Sequence, residues 1–214
     1  MYIIDTGIHT DHIEFGHRAS WGITIRQDDI DEDTNGHGTH CAGTVASGKY
    51  GVAKAANVIA VKVLGSDGKG TTSDVIAGVL WAAKRAATRL AAAKAEYATT
   101  RRTNHKGSVA NLSLGGGRSK VLDDAVNRAV DSGLHFAVAA GNNDTDACLF
   151  SPAAAEKAVT VGSSTIVDEK SASSNWGECV DVFAPGEHFH LSSQKLVSDT
   201  SRCRSIHSFH LDRK

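Results

Sequence analysis

Apolar residues fall along this chain either in short continuous runs or at helical spacing, and the two kinds alternate. Tyr2-Ile3-Ile4 is a brief apolar run that ends at Asp5-Thr6-Gly7. Val58-Ile59-Ala60-Val61-Lys62-Val63-Leu64 is β-branched and nearly unbroken, the pattern of a strand covered on both faces. A loop with Gly65, Gly68 and Gly70 follows. Ser73 is then placed to cap a helix on which Val75, Ile76, Val79, Leu80 and Ala83 fall at helical spacing. The Ala/Lys/Arg-rich continuation to about Tyr97 reads either as more helix or as a solvated insertion. Residues 109–114 read as strand, 121–130 as a helix stopped by Gly133, and 134–140 as another buried strand. Two more short strands are expected over 158–161 and 180–183, and the small residues of 39–46 suit a helix packed close to a sheet.

Strand, helix, strand in this order predicts right-handed βαβ units and an α/β fold: a mainly parallel sheet flanked by helices. In such a sheet the functional groups lie beyond the carboxyl ends of the strands. Asp5, residues 65–70, residues 113–117 and Gly141-Asn142 all follow strand ends. They are therefore expected along one edge, although they span much of the sequence.

Composition narrows the class. The 214 residues suffice for a buried core, and 23 basic against 24 acidic residues give a net charge of −1, spread along the chain. No basic block marks a nucleic-acid partner, and no apolar run approaches the roughly 20 residues that span a bilayer. No charged start followed by an apolar stretch reads as a signal peptide. Cys41, Cys148, Cys179 and Cys203 are too few for a disulfide scaffold and form no C-x-x-C pair.

The strongest chemical signal is Asn35-Gly36-His37-Gly38-Thr39-His40-Cys41-Ala42-Gly43. Glycines on both sides of His37 permit a tight turn and leave the imidazole unobstructed. A metal reading of His37, His40 and Cys41 lacks the H-E-x-x-H spacing and a second ligand pair. Asp5-Thr6-Gly7 sets a carboxylate at a strand end, either as a turn residue or as a functional group. Half of an aspartic-protease dyad is disfavoured, because no second Asp-Thr-Gly or Asp-Ser-Gly exists to share the proton. Gly65-x-x-Gly68-x-Gly70-Thr71 is not a phosphate loop, since Lys69 precedes Gly70 rather than following it.

Asp5 followed by His37 gives the first two members of an Asp…His…Ser order. The stretches 58–64, Val-Ala-Asn-Leu-Ser-Leu-Gly-Gly-Gly at 109–117, Ala-Val-Ala-Ala-Gly-Asn-Asn at 137–143, Phe150-Ser151-Pro152-Ala153 and Val182-Phe183-Ala184-Pro185-Gly186 stand in matching order. From about residue 2 to 186 the chain resembles the subtilisin-like serine proteases. It is most similar to the proteinase K group and to fungal vacuolar members known as allergens. The resemblance implies a three-layer fold and peptide-bond hydrolysis. His37 is then the general base, Asp5 the carboxylate that orients it, and Asn142 the side-chain donor of the oxyanion hole. It implies that Gly68-Lys69-Gly70 and Ser113-Leu114-Gly115 pair with an extended peptide substrate. It further implies a Cys148–Cys179 disulfide, a buried free Cys41 thiol beside the site, a monomer, and a vacuolar or secreted location. No cofactor is needed for the chemistry. Asp181, with carbonyls near Glu156 and Ala158, resembles a structural calcium site; a solvated strand-end Asp is the plainer reading.

One family element is missing. Its nucleophile sits in a Gly-Thr-Ser-Met-Ala stretch, and no Gly-Thr-Ser occurs in this sequence. All 21 glycines lie at or before Gly186, whereas residues 187–214 have neither Gly nor Ala. The expectation is thus a partial peptidase domain over 1–186, short at its beginning, then a divergent tail over 187–214. Ser201, Ser205 and Ser208 of that tail lack the small neighbours of the family nucleophile. The chain as written is expected to be inactive, a truncated product or pseudoenzyme relevant as an antigen, and its folding is open.

Overall fold

The computed structural model describes residues 1–27 and 29–186 and the backbone of Leu211–Asp212; the remainder of the expected tail lies outside the described residues. The elements run β1 (Tyr2–Asp5), β2 (Ala19–Thr24), α1 (His37–Ala46), β3 (Val58–Lys62), β4 (Gly70–Thr71), α2 (Thr72–Thr100) and β5 (Val109–Leu112). Then come β6 (Gly116–Gly117), α3 (Lys120–Asp131), β7 (His135–Ala139), β8 (Phe150–Ser151), β9 (Val159–Ser164) and β10 (Val182–Pro185). Seven strands form one sheet in the order β10-β9-β7-β5-β1-β3-β2, and every pairing is parallel. The backbone of Leu211–Asp212 runs parallel beside β4.

Side chains alternate across a strand, so each strand feeds two cores. Tyr2, Ile4, Ile59, Val61, Leu112 and Phe136 point to the face covered by α2 and α3. Ile3, Val58 and Ala60 point the other way and pack with Ala42 and Ala46 of α1. The near-continuous apolar strands foreseen from the sequence are the consequence of covering both faces. The same alternation sets Asp5, two residues beyond Ile3, on the α1 side of the sheet.

Two expectations need correction. Thr71, not Ser73, caps α2: its hydroxyl accepts the Asp74 N–H at 3.1 Å while the Asp74 carboxylate accepts the Thr71 N–H, a capping box. Ser73 is already inside the helix. The continuation past Ala83 is helix, 29 residues in all, or about 43 Å at 1.5 Å per residue. Its buried face is narrower than the spacing suggested, because Leu80 is half exposed and small residues (Gly78, Ala82, Ala86, Ala93) make much of the contact.

Charge is also less even than the overall balance implies. Seven Lys and Arg but one Glu lie between positions 84 and 106, all seven cations exposed and none in an ion pair among the described residues. Among the described residues, no helix is long and apolar enough to cross a membrane.

β2 had no visible signature. Its sequence Ala-Ser-Trp-Gly-Ile-Thr has no apolar run, and its register shifts at Trp21/Ile23. It sits at the sheet edge, where such irregularity is tolerated.

Gly78 lets α2 lie close on the sheet: a Cβ there would come within 2.5 Å of Val63 Cγ1 and 3.3 Å of Ile4 Cγ2. Glycine inside a helix normally costs about 1 kcal/mol relative to Ala, so contact geometry overrides propensity here. Gly78→Val is expected to lower the unfolding free energy by about 1–3 kcal/mol through overpacking. Urea denaturation of the two proteins measures it.

Candidate active site

Asp5 ends β1, and α1 begins at His37 on the same side of the sheet. The approach of α1 to β1 requires glycine at 38, where a Cβ would lie well inside contact distance of the Gly7 carbonyl oxygen and 3.2 Å from Asp5 Cβ. Gly36 precedes the helix at φ +98°, a conformation that suits glycine. These two glycines therefore have separate jobs, one turning the chain and one admitting the helix.

The outcome is a short, two-pronged contact. His37 Nδ1 lies 2.8 Å from Asp5 Oδ1 and 3.0 Å from Oδ2. Asp5 has no exposed surface and also accepts its neighbour Thr6 N–H at 2.7 Å. A carboxylate against Nδ1 selects the tautomer with the proton there and the lone pair on Nε2. Burial disfavours the charged imidazole, but the Asp5 carboxylate outweighs it, with Cys41 acting in the same direction, so the His37 pKa is raised above its ordinary 6.5. Next to it, His40 is pushed the other way, to about 4, first by burial and then by His37. At neutral pH His40 is thus a neutral ring.

Sequence reading missed the group that assembles this pair. Asp33 is fully buried and its carboxylate takes five donors. Oδ1 accepts Thr6 Oγ1 (2.9 Å), Gly36 N–H (2.8 Å) and Asn35 N–H (3.2 Å); Oδ2 accepts the N–H and hydroxyl of Thr39. Thr6 Oγ1 in turn accepts Gly38 N–H at 2.9 Å. One carboxylate thereby links the end of β1, the turn before α1 and the first turn of α1. Burial alone would raise the Asp33 pKa, but the bonds from Thr39, Gly36 and Thr6 hold it below the usual carboxylate value. Asp33-x-x-Gly36 is a local turn pattern, and that was the available signal. Lys62 was also missed. It is fully buried at the end of β3, donates to the Thr6 carbonyl at 2.8 Å and stands 3.5 Å from Asp29 Oδ2.

Asn142 follows β7, as the sequence indicated, and its side-chain Nδ2 is buried with no hydrogen-bond partner among the described residues. Ser113, Leu114 and Gly115 continue past β5, carrying no ladder partner among the described residues before Gly116–Gly117 pairs with Phe150–Ser151. Gly65 to Gly70 form a turn, with Gly68 N–H on the Gly65 carbonyl and Gly65 N–H on the Lys69 carbonyl. Gly70 belongs to β4. All these segments follow the carboxyl ends of adjacent strands, so the shared edge expected from the chain order is present.

Cys148 and Cys179 are joined in a disulfide across 31 residues, and Cys41 is a free, partly buried thiol with Sγ 3.9 Å from His37 Nδ1. Among the described residues, Asp5, His37 and Cys41 are the group whose ligand atoms lie close enough, within 4.8 Å, to gather a metal ion. Two of the three, Asp5 and His37, are already in contact with each other. Asp181 is a single carboxylate, and its Oδ2 already accepts Thr160 N–H at 2.7 Å.

The raised His37 has a defined pH consequence. A histidine whose folded pKa exceeds its unfolded one adds stability that is complete below about 6.5 and is lost as pH rises through the folded value. Nuclear magnetic resonance titration of the His37 ring is expected to show a midpoint above 6.5, and Asp5→Asn to lower it. The stability difference between the two proteins should shrink as pH rises.

Comparison with known proteins agrees with this geometry. The subtilase family pattern (Peptidase_S8) matches residues 2–213. Subtilisin-like serine protease Pen c 2 of Penicillium citrinum is 63% identical over 185 residues, covering 86% of this chain and 40% of that protein. Cur l 4.0101 of Cochliobolus lunatus is 60% identical over 186 residues, 87% of this chain and 36% of its own. Alkaline protease 2 of Aspergillus fumigatus is 59% identical over 185 residues, 86% of this chain and 37% of its own. The chain thus spans about two fifths of the length of these relatives. Among solved structures, a cold adapted subtilisin-like serine proteinase superposes with a TM-score of 0.79 at 46% identity, covering 96% of this chain and 70% of that one. With its sequence matched over nearly its whole length and its parallel sheet and Asp5–His37 pair in place, the chain belongs to the subtilase family.

Proposed function

We propose that the described residues are the proton-transfer and oxyanion-binding part of a serine endopeptidase, and that the chain as written does not hydrolyse peptides. The observation that carries the first half is the Asp5–His37 contact at 2.8 Å, with the carboxylate wholly buried and the imidazole keeping a small exposed surface. In this role His37 Nε2 takes the proton of an attacking hydroxyl and returns it to the leaving amine, while Asp5 stabilises the imidazolium between those steps. The unpartnered Asn142 Nδ2 donates to the oxygen of the tetrahedral intermediate, an interaction worth about 10²–10³ in rate. Ser113–Gly115 and Gly68–Gly70 flank an extended peptide, adding backbone bonds on either side. Because the Asp5 carboxylate helps to hold the His37 pKa above its ordinary value, the neutral base form accumulates at higher pH than for a free imidazole.

The second half rests on the sequence. No Gly-Thr-Ser is present, and Ser201, Ser205 and Ser208 lie outside the described residues. In subtilisin, loss of the nucleophile lowers kcat by about 10⁶, because the triad works as a unit. The chain would then bind peptide and leave it intact, as a monomer in a vacuolar or secreted setting, and its relevance would be antigenic. The full chain is expected to remain unlabelled after prolonged incubation with a fluorophosphonate probe. Rapid labelling of any serine would sink the inactivity proposal and identify the nucleophile.

Calcium is proposed as a structural rather than a chemical partner. Asp181 could offer Oδ1 together with carbonyls near Glu156 and Ala158, the hard oxygen donors calcium prefers. Millimolar calcium is expected to raise the melting temperature of the full chain by a few degrees, and Asp181→Asn to abolish that rise. Equal melting with calcium and with a chelator refutes it.

A further inference from the structure

Asn175 lies outside the motifs singled out in the sequence, yet it is completely buried in the loop between β9 and β10. All three hydrogen bonds of its side chain go to one turn. Oδ1 accepts Asn143 N–H at 2.8 Å and Thr145 N–H at 3.3 Å; Nδ2 donates to the Ala140 carbonyl at 2.8 Å. Its backbone N–H donates to the Gly141 carbonyl at 2.9 Å. Asn142 sits between these anchors, held on both sides and itself unpartnered at Nδ2. The fit leaves no slack: Gly141 has φ +102°, and a Cβ there would come within 2.5 Å of Asn175 Nδ2.

A flexible turn would let Asn142 turn toward any nearby acceptor, and a donor that must reorganise is of little use to a developing charge. We infer that Asn175 is a positioning residue for the oxyanion site, keeping the Ala140–Asn143 backbone in the one arrangement that presents Asn142 Nδ2 to an anionic acyl oxygen. The ligand class is the terminal carboxylate of a cleaved peptide, whose oxygens mimic that charge. The inference rests on the proposed role of Asn142.

The test uses the full chain and two acetylated alanine tetrapeptides, one with a free terminal carboxylate and one with a terminal amide, in calorimetric titrations. The acid is expected to bind about tenfold more tightly than the amide, the worth of one hydrogen bond to a charged group. Asn175→Leu is expected to remove that preference while leaving amide affinity unchanged, a split that general loosening of the fold would not produce. A folded Asn175→Leu protein that keeps the preference overturns the inference and leaves Asn142 standing. Absence of the preference in the parent chain overturns both. Should Asn175→Leu fail to fold, Asn175→Ala, which admits water, is read the same way. Hydrogen exchange on the parent chain gives a further check: Asn143 and Thr145 N–H must be protected, and rapid exchange at both refutes the clamp.

Discussion

A buried carboxylate taking five hydrogen bonds holds this site in shape. Asp33 is expensive to remove from water, and only donors that arrive together offset that penalty. Thr6 comes from the end of β1, Asn35 and Gly36 from the turn, and Thr39 from α1. None of these pieces can shift without stranding part of the anion. The distance between Asp5 and His37 therefore depends on Asp33 as a third residue. Lys62 closes the same region from the β3 side through the Thr6 carbonyl.

The site is built on two levels of constraint. Parallel strands with short exits put several loops at one edge, and this is a property of the fold. Within that edge, single buried polar side chains choose the conformation of each loop: Asp33 for the turn into α1, Asn175 for the turn after β7. Buried polar groups of this kind are stabilising only when every partner is present. They give a single arrangement at the expense of tolerance to substitution.

Much of this was legible in the amino-acid sequence, for a physical reason in each case. Strands covered on both faces read as continuous apolar runs, so β1, β3, β5 and β7 were visible. His37 and Asn142 stand next to glycines, and Asp5 two residues before one, and those spacings are distinctive. Asp33 and Asn175 were not visible, because an Asp or Asn in a polar loop looks like an ordinary turn residue until its donors are known. β2 was hidden by its edge position and lack of apolar run. The start of α2 presents three hydroxyl residues in succession; the acidic residue three beyond Thr71 distinguishes it, since Ser73 has Ile76 at that place.

The strand order has a kinetic side as well. β1, the first element of the chain, lies inside the sheet, with Tyr2 paired to Ile59 on one side and Ala110 on the other. The strand that carries Asp5 thus finds its second neighbour only after the residues up to Ala110 have been made. Closing such long loops costs entropy before any contact repays it, and sheets made of distant parallel pairs fold slowly. Until β5 arrives, the apolar residues of β1 and β3 have only part of their cover, the kind of exposed surface that makes incomplete folds prone to aggregate. In this architecture the acidic member of the pair is made well before the β5 neighbour that completes its strand's surroundings.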